Sequence, residues 1–211
     1  MVYYHMDDLA KEYVVSYYDR MLHIFGDRPE SLRWTPRGQH ARYEAMLDIA
    51  ATIAGSKILD FGCGKGDFYQ FLKDKRIEPQ YTGLDINENL IALAREKFAG
   101  VRFEVCDLER HALGEEFDYI FLCGVFNLKV QGVDDLIRDT LKKLFPCCRI
   151  GLAFNGLSSH ARQKASEIHY TSPEDLLGFA LDDLSPFVIM RHDRIPDDFT
   201  MFVYRDLNAT S

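Results

Sequence analysis

The 211-residue chain contains no run of about 18 uncharged apolar residues, so no membrane-spanning helix is expected. Its first twenty residues carry Asp7, Asp8, Lys11 and Glu12, which breaks the apolar core that a secretory signal requires. Positive charge is also scarce. Lys and Arg number 25 against 33 Asp and Glu, a formal net charge of −8. No basic stripe offsets this balance. Nucleic acid is therefore not an expected partner, because phosphate backbones are bound mainly by Lys and Arg. There are only five cysteines. They match no zinc-ligand spacing, and Cys147 and Cys148 are adjacent rather than separated by two residues. They read as reduced thiols of a cytoplasmic protein, with no metal site. Internal repeats and low-complexity segments are absent. What is left is a soluble protein acting on a small-molecule or peptide-like substrate, long enough for one sizeable core.

The apolar pattern divides the chain in two. Residues 1–54 read as a helical cap. One helix runs over 7–25, with Leu9, Tyr13, Val14, Tyr17, Met21 and Leu22 as its apolar positions. A loop holding Trp34, the only tryptophan, leads to a second helix over 37–54. From residue 55 the pattern changes to short apolar runs alternating with amphipathic segments. Strands are expected at 57–61, 81–86, 101–106, 117–124 and 149–154. Helices are expected at 67–74, 87–98 and 133–145. This alternation predicts a mostly parallel α/β sheet with helices on both faces. The end departs from it. A polar loop over 155–170 precedes a helix beginning at Ser172-Pro173-Glu174. Two strands then follow, at 187–191 and 200–204. The short connection between them requires an antiparallel pair.

The strand at 57–61 opens directly into Gly62-Cys63-Gly64-Lys65-Gly66, before a helix. Glycine tolerates positive φ and lets a ligand approach the backbone. In a doubly wound sheet such a turn lies at the carboxyl ends of the strands, where ligands bind. A dinucleotide site would carry G-x-G-x-x-G, but the third glycine position here is Asp67. A carboxylate there is expected to repel pyrophosphate. Asp60 precedes the first glycine and suits a cationic ligand without phosphate. Asp85 ends the second strand and can accept both hydroxyls of a ribose. Asp107 follows the third strand, where its carboxylate can accept from an adenine amino group, with Leu108 against the ring.

These segments, with Asp118 to Asn127, make the chain similar to the class I S-adenosylmethionine-dependent methyltransferases over about residues 55–155. The resemblance implies a Rossmann-like, mostly parallel seven-stranded sheet closed by a C-terminal antiparallel pair, with the whole chain one domain. It implies S-adenosylmethionine as cofactor. Asp60, Gly62, Cys63 and Gly64 would lie near its methionyl part, Asp85 and Ile86 at the ribose, and Asp107 and Leu108 at the adenine. Cys123 would offer a backbone contact to the ammonium group. Arg42, on the second cap helix, would pair with the methionyl carboxylate.

Methyl transfer needs positioning more than protein reactivity, since the cofactor carries the leaving group. Asn127, beyond the fourth strand, offers a neutral donor and acceptor. His160 is a candidate general base, as is His169. Tyr170 is a candidate for orienting a substrate. Trp34 reads as either a stacking residue or a core anchor. The chain lacks the N-P-P-aromatic sequence of amino-group methylators of DNA and glutamine, and the acidic metal cluster of catechol-type enzymes. The reading is an O- or N-directed small-molecule methyltransferase. Alternatives are an enzyme of this fold that cyclises or cleaves the cofactor, or a non-catalytic binding module. A nicotinamide-dependent dehydrogenase is disfavoured by Asp67.

Overall fold

The computed structural model describes residues 8–206. Helix α1 (Asp8–Phe25) is followed by a short 3-10 turn (Pro29–Leu32) and by α2 (Pro36–Leu47). Strands and helices then alternate: β1 (Lys57–Phe61), α3 (Asp67–Asp74), β2 (Gln80–Asp85), α4 (Glu88–Lys97), β3 (Arg102–Val105), β4 (Phe117–Cys123), α5 (Val133–Leu144) and β5 (Cys148–Leu157). The chain ends with α6 (Pro173–Asp183), β6 (Val188–Arg191) and β7 (Asp198–Tyr204). The sheet order is β3-β2-β1-β4-β5-β7-β6. Strands β1 to β5 pair in parallel, and β7 lies antiparallel between β5 and β6. This is the seven-stranded architecture expected from the alternation and from the terminal pair.

Local chemistry starts the helices. The Thr35 hydroxyl accepts from the Gly38 amide at 3.1 Å, and Pro36 fills the first turn of α2. Asn87 caps α4 through the Leu90 amide at 2.9 Å, and Ser172 caps α6 through Asp175 at 3.1 Å. Two expected boundaries move. The second cap helix stops at Leu47, not near residue 54. Ile49 and Ile53 remain buried, which preserves the helical-looking spacing, but the Ile49 carbonyl accepts the Tyr204 phenol at 2.9 Å. The fifth strand runs on to Leu157, so Asn155 and Gly156 are strand rather than loop. Their pairing with Thr200 and Phe199 of β7 explains this, since a partner strand satisfies backbone groups regardless of side-chain polarity.

Each sheet face carries its own core. On one, Tyr43 and Met46 of α2, Phe68 of α3 and Ile91 of α4 pack against Phe121 and Phe202. On the other, Ile137 and Leu141 of α5 and Leu176 of α6 cover Ile120, Leu122 and Met201. Helix α1 belongs to neither and has no fully buried residue. It is tied down by polar contacts instead. The Asn87 amide donates to Asp19 at 2.8 Å, and Lys11 reaches Asp107 at 2.8 Å. The inward face of α1 also differs from the apolar positions read in the sequence. Leu9 is 75% exposed and Tyr13 46%. A helix laid across a cavity, not a core, need not bury its most apolar stripe.

The sheet buries one carboxyl group on its α2 side. Asp60 of β1 is enclosed and accepts the Tyr81 phenol from β2. Burial pushes this carboxyl up to about 7, against the downward pull of the Tyr81 bond and with the nearby charges of Asp85 and Asp67 adding to the rise. Between its ordinary value of 3.8 and about 7, the folded protein holds a proton that the unfolded chain has released. Stability therefore falls with rising pH across that window, by up to about 1.4 kcal/mol per pH unit. The Asp60→Asn variant should lack this component, giving a flatter curve in urea denaturation stepped through the window. Parallel curves for the two proteins would refute the assignment.

Candidate active site

The carboxyl ends of β1, β2, β3 and β4 meet beneath α1 and enclose a cavity. Its floor is the glycine turn. The amides of Gly62 and Cys63 both donate to the Leu84 carbonyl, at 2.7 and 3.0 Å. The Gly64 amide donates to the Asp85 carboxylate at 2.8 Å. Gly62 has φ +76°, and a Cβ there would stand 2.5 Å from the Val125 side chain. Only glycine lets the turn lie flat against the loop after β4.

Asp85 lines the cavity. One of its oxygens takes the Gly64 amide and the other takes the Asn87 amide at 2.9 Å. Burial pushes its carboxyl up, while those backbone donors pull the other way. Each oxygen retains a further lone pair, so the group can still receive two hydroxyls. Ile86 lines the wall beside it, and Asp107 and Leu108 form the wall beyond β3. Burial acts to raise the Asp107 carboxyl. The Lys11 ammonium, the Glu109 amide and Arg110 outweigh it and hold the group below the usual carboxylate range. Cys123 and Gly124 complete the wall at the tip of β4. Burial pushes the Cys123 thiol well up, so it stays protonated.

The turn, Asp85, Ile86, Asp107, Leu108 and Cys123 thus converge on one space, as their order along the strands implies. Asp60 and Cys63 do not line it. Asp60 sits below the turn with Tyr81, and Cys63 is buried in the α2-side core, packed toward Gly83. Asp67 also turns away from the cavity. It pairs with Lys65 and with Lys97, and accepts the Gln39 amide at 2.8 Å. Contrary to the expectation from sequence, Asp67 does not face an incoming phosphate, because two lysines neutralise it outside the cavity.

Arg42 is a second correction. Its Nε and Nη2 donate to the two oxygens of Asp198, at 2.6 and 2.9 Å, and its guanidinium lies 5.0 Å from the Trp34 ring. A buried carboxylate at the start of β7 has taken the arginine reserved for a ligand carboxylate, a pairing that separation in sequence concealed. Trp34 is anchored in the core and also reaches the cavity. It packs against Tyr43, with ring centroids 5.7 Å apart, and lines the cavity over Gly124. A Cβ on Gly124 would stand 2.4 Å from the indole.

The catalytic candidates are not brought to the cavity wall. The His160 side chain is 60% exposed and pairs with Glu174 at 2.6 Å. The Tyr170 hydroxyl accepts the Ala165 amide at 2.9 Å, within the loop before α6. His169 is buried beside Asp134, and burial holds its imidazole below its ordinary value against that carboxylate's pull. Asn127 lies near Gly124 but outside the lining, its carbonyl accepting the His169 amide at 3.0 Å. Sequence reading missed the cap's own contribution: Lys11, Val14, Val15 and Tyr18, with Leu32. Positions 11, 14, 15 and 18 share one helical face, but their mixed polarity hid it. Tyr18 comes close enough to Asp85 for that charge, together with burial, to raise its phenol. No group of three or more metal-ligating side chains occurs among the described residues, and no helix there is long and apolar enough to cross a membrane.

Comparison with known proteins agrees with this geometry. Residues 58–147 match the methyltransferase domain family. A Mycobacterium tuberculosis protein named as a methyltransferase is 28% identical over 152 residues, covering 69% of this chain and 91% of its own length. The malonyl-[acyl-carrier protein] O-methyltransferase of Acetivibrio thermocellus is 30% identical over 60% of this chain, which spans only 44% of that protein. Among solved structures, magnesium protoporphyrin IX methyltransferase from Synechocystis, with SAH bound, superposes with a TM-score of 0.64. That match is 16% identical, covers 93% of this chain and 100% of the other, and speaks for the fold. The match over residues 58–147, the strand order and the cavity at the glycine turn make the chain similar to the class I S-adenosylmethionine-dependent methyltransferases.

Proposed function

We propose that the protein transfers the methyl group of S-adenosylmethionine to a small-molecule O or N nucleophile. The observation that carries this reading is the convergence of Gly62, Gly64, Asp85, Asp107 and Cys123 on one cavity, in the order an adenosyl ligand would need. Asp85 would receive the ribose hydroxyls, with Ile86 beside it, and Asp107 the adenine amino group, with Leu108 against the ring. The methionyl part would lie over the turn toward Cys123 and Gly124. Asp60 and Cys63 would then act from beneath, by fixing the turn. When bound, the cofactor supplies an electrophilic methyl on a sulfonium. The chain's part is to hold it, exclude water and present the acceptor in line. Helix α1 supports the exclusion of water, since Val14 and Val15 roof the cavity.

The enclosing cap also bears on the acceptor's size. A small molecule fits beneath it, as opposed to a macromolecular surface, and the net charge of −8 argues against a nucleic acid. Relatives named for phosphoethanolamine and for malonyl-[acyl-carrier protein] methylation span both N and O acceptors.

Two measurements test these roles. Asp85→Ala should weaken binding of S-adenosylmethionine by roughly 1–3 kcal/mol in calorimetry, the cost of losing a charged acceptor; unchanged affinity would remove Asp85 from the site. Asp198→Ala should instead destabilise the fold by about 3 kcal/mol or more, because it leaves the Arg42 charge buried and unpaired. Folded Asp198→Ala protein should bind the cofactor with nearly wild-type affinity. A large loss of affinity without loss of stability would return Arg42 to the cofactor.

A further inference from the structure

The cavity wall beyond the position proposed for the methionyl group has a distinct chemistry. Leu32 and Trp34 approach from the cap side, and Phe126, Leu128 and Val130 from the loop after β4. All are apolar. The charged members of the cavity lie elsewhere. Lys11, Asp107 and Glu109 pair with one another at the adenine end, Asp85 sits at the ribose position, and Asp139 and Lys143 lie along α5.

The ionisable groups near the apolar wall are occupied, protonated or turned away from it; His169, next to the Leu128 bridge, faces Asp134 and does not line the cavity. Arg42 and Asp198 satisfy one another from α2 and β7. Arg33 is paired with Glu167 at 2.9 Å. Asp60 lies beneath β1 with Tyr81. Cys123 on β4 and Tyr18 on α1 are both pushed up, so each remains a neutral donor at neutral pH. Glu30, in the 3-10 turn, has its Oε2 buried without a partner, but it does not line the cavity. An acceptor with charge beyond the single negative one that the sulfonium could balance would have to leave water for this wall without a counter-charge, at a cost of several kcal/mol. No group on the wall is placed to take a proton from it.

We infer that the acceptor is an apolar, aromatic-type molecule whose nucleophilic atom sheds its proton to water before reaction, so that the protein supplies shape and exclusion of solvent but no general base. The inference rests on the proposed methyl transfer from S-adenosylmethionine. For a phenol, the step balances simply. The proton goes to bulk water, a phenolate lone pair forms the O–CH3 bond, and the S–CH3 bond breaks. Its electron pair remains on sulfur, which becomes a neutral thioether. The phenolate's charge is cancelled by the sulfonium, so no protein cation is required. Trp34, which packs close to Gly124 and lines the cavity, offers an aromatic contact for such a ring.

The test uses the full chain with S-adenosylmethionine and a series of nitro- and halogen-substituted phenols of graded acidity, beside phosphoethanolamine and a dicarboxylic acid. Calorimetry first measures cofactor binding alone; its failure would sink the methyl-transfer reading itself. With cofactor bound, kcat/KM for the phenols should exceed that for both charged acceptors by roughly a hundredfold. The lower inflection of its pH profile should move one for one with the phenol's own pKa. Glu30→Gln should leave that behaviour unchanged. An inflection fixed regardless of phenol, loss of it in Glu30→Gln, preference for a charged acceptor, or no turnover of any phenol by cofactor-saturated protein would each overturn the inference.

Discussion

The rest of the site depends on the join between the ends of β1 and β2. Leu84 offers its carbonyl to two successive amides of the turn, Gly62 and Cys63, and Asp85 offers its carboxylate to a third, Gly64. The turn is thus held by the strand that follows it in the sheet, rather than by its own residues. A backbone carbonyl and a carboxylate acting together fix three donors in a partly enclosed place, where an unmet donor would cost about 1–3 kcal/mol. The same carboxylate then starts the link to α4 through the Asn87 amide, and Asn87 in turn ties down α1 through Asp19. One acidic residue therefore sets the turn, the start of a helix and the seat of α1, while keeping free lone pairs.

Charge pairing organises the cap around that join. Helix α1 contributes no fully buried residue, so the hydrophobic effect holds it only through its partly covered cavity face. Its attachments are ionic or polar: Lys11 to Asp107 and Glu109, and Asn87 to Asp19. In the loop after it, Asp27 meets Lys65 and Lys97. Contacts of this kind weaken with salt and open at lower cost than a packed core. A helix fastened this way lifts from the sheet at lower cost than one held by buried leucines. The exposed Leu9 and Tyr13 on its outer side fit the same logic, since the helix was placed by charge and not by its apolar stripe.

The sequence made the sheet and the strand-tip residues legible for a definite reason. Each lies immediately after a short apolar run, so Gly62, Asp85, Asp107 and Cys123 could be located by counting from strand ends, without knowing any tertiary contact. Arg42 and Asp67 were misplaced because their partners are distant or ambiguous in sequence. Arg42 meets Asp198 across 156 positions. Asp67 is met by Lys97, 30 residues on, as well as by its neighbour Lys65. A carboxylate can be recognised in a sequence, but whether it is already neutralised cannot. The helix expected to run to residue 54 failed for a related cause, since the apolar spacing of Ile49 and Ile53 survives in a segment whose Ile49 carbonyl is taken by Tyr204.

The acceptor side was the least legible part, and the structure indicates why. Cofactor recognition is built from strand ends that follow one another in a repeating order. The apolar wall is built from Leu32 and Trp34 and from Phe126, Leu128 and Val130, two segments far apart in sequence that meet only after the cap folds over β4. Residue types suited to proton transfer in this region include His160 and Tyr170. Both prove to be committed to the loop before α6 and to the first turn of that helix. Methyl transfer from a sulfonium draws its driving force from the cofactor, so selection for rate can act on shape and dryness instead of on a proton acceptor. In that case the residues that decide the reaction are leucine, valine, phenylalanine and tryptophan, the types a search for catalytic groups passes over.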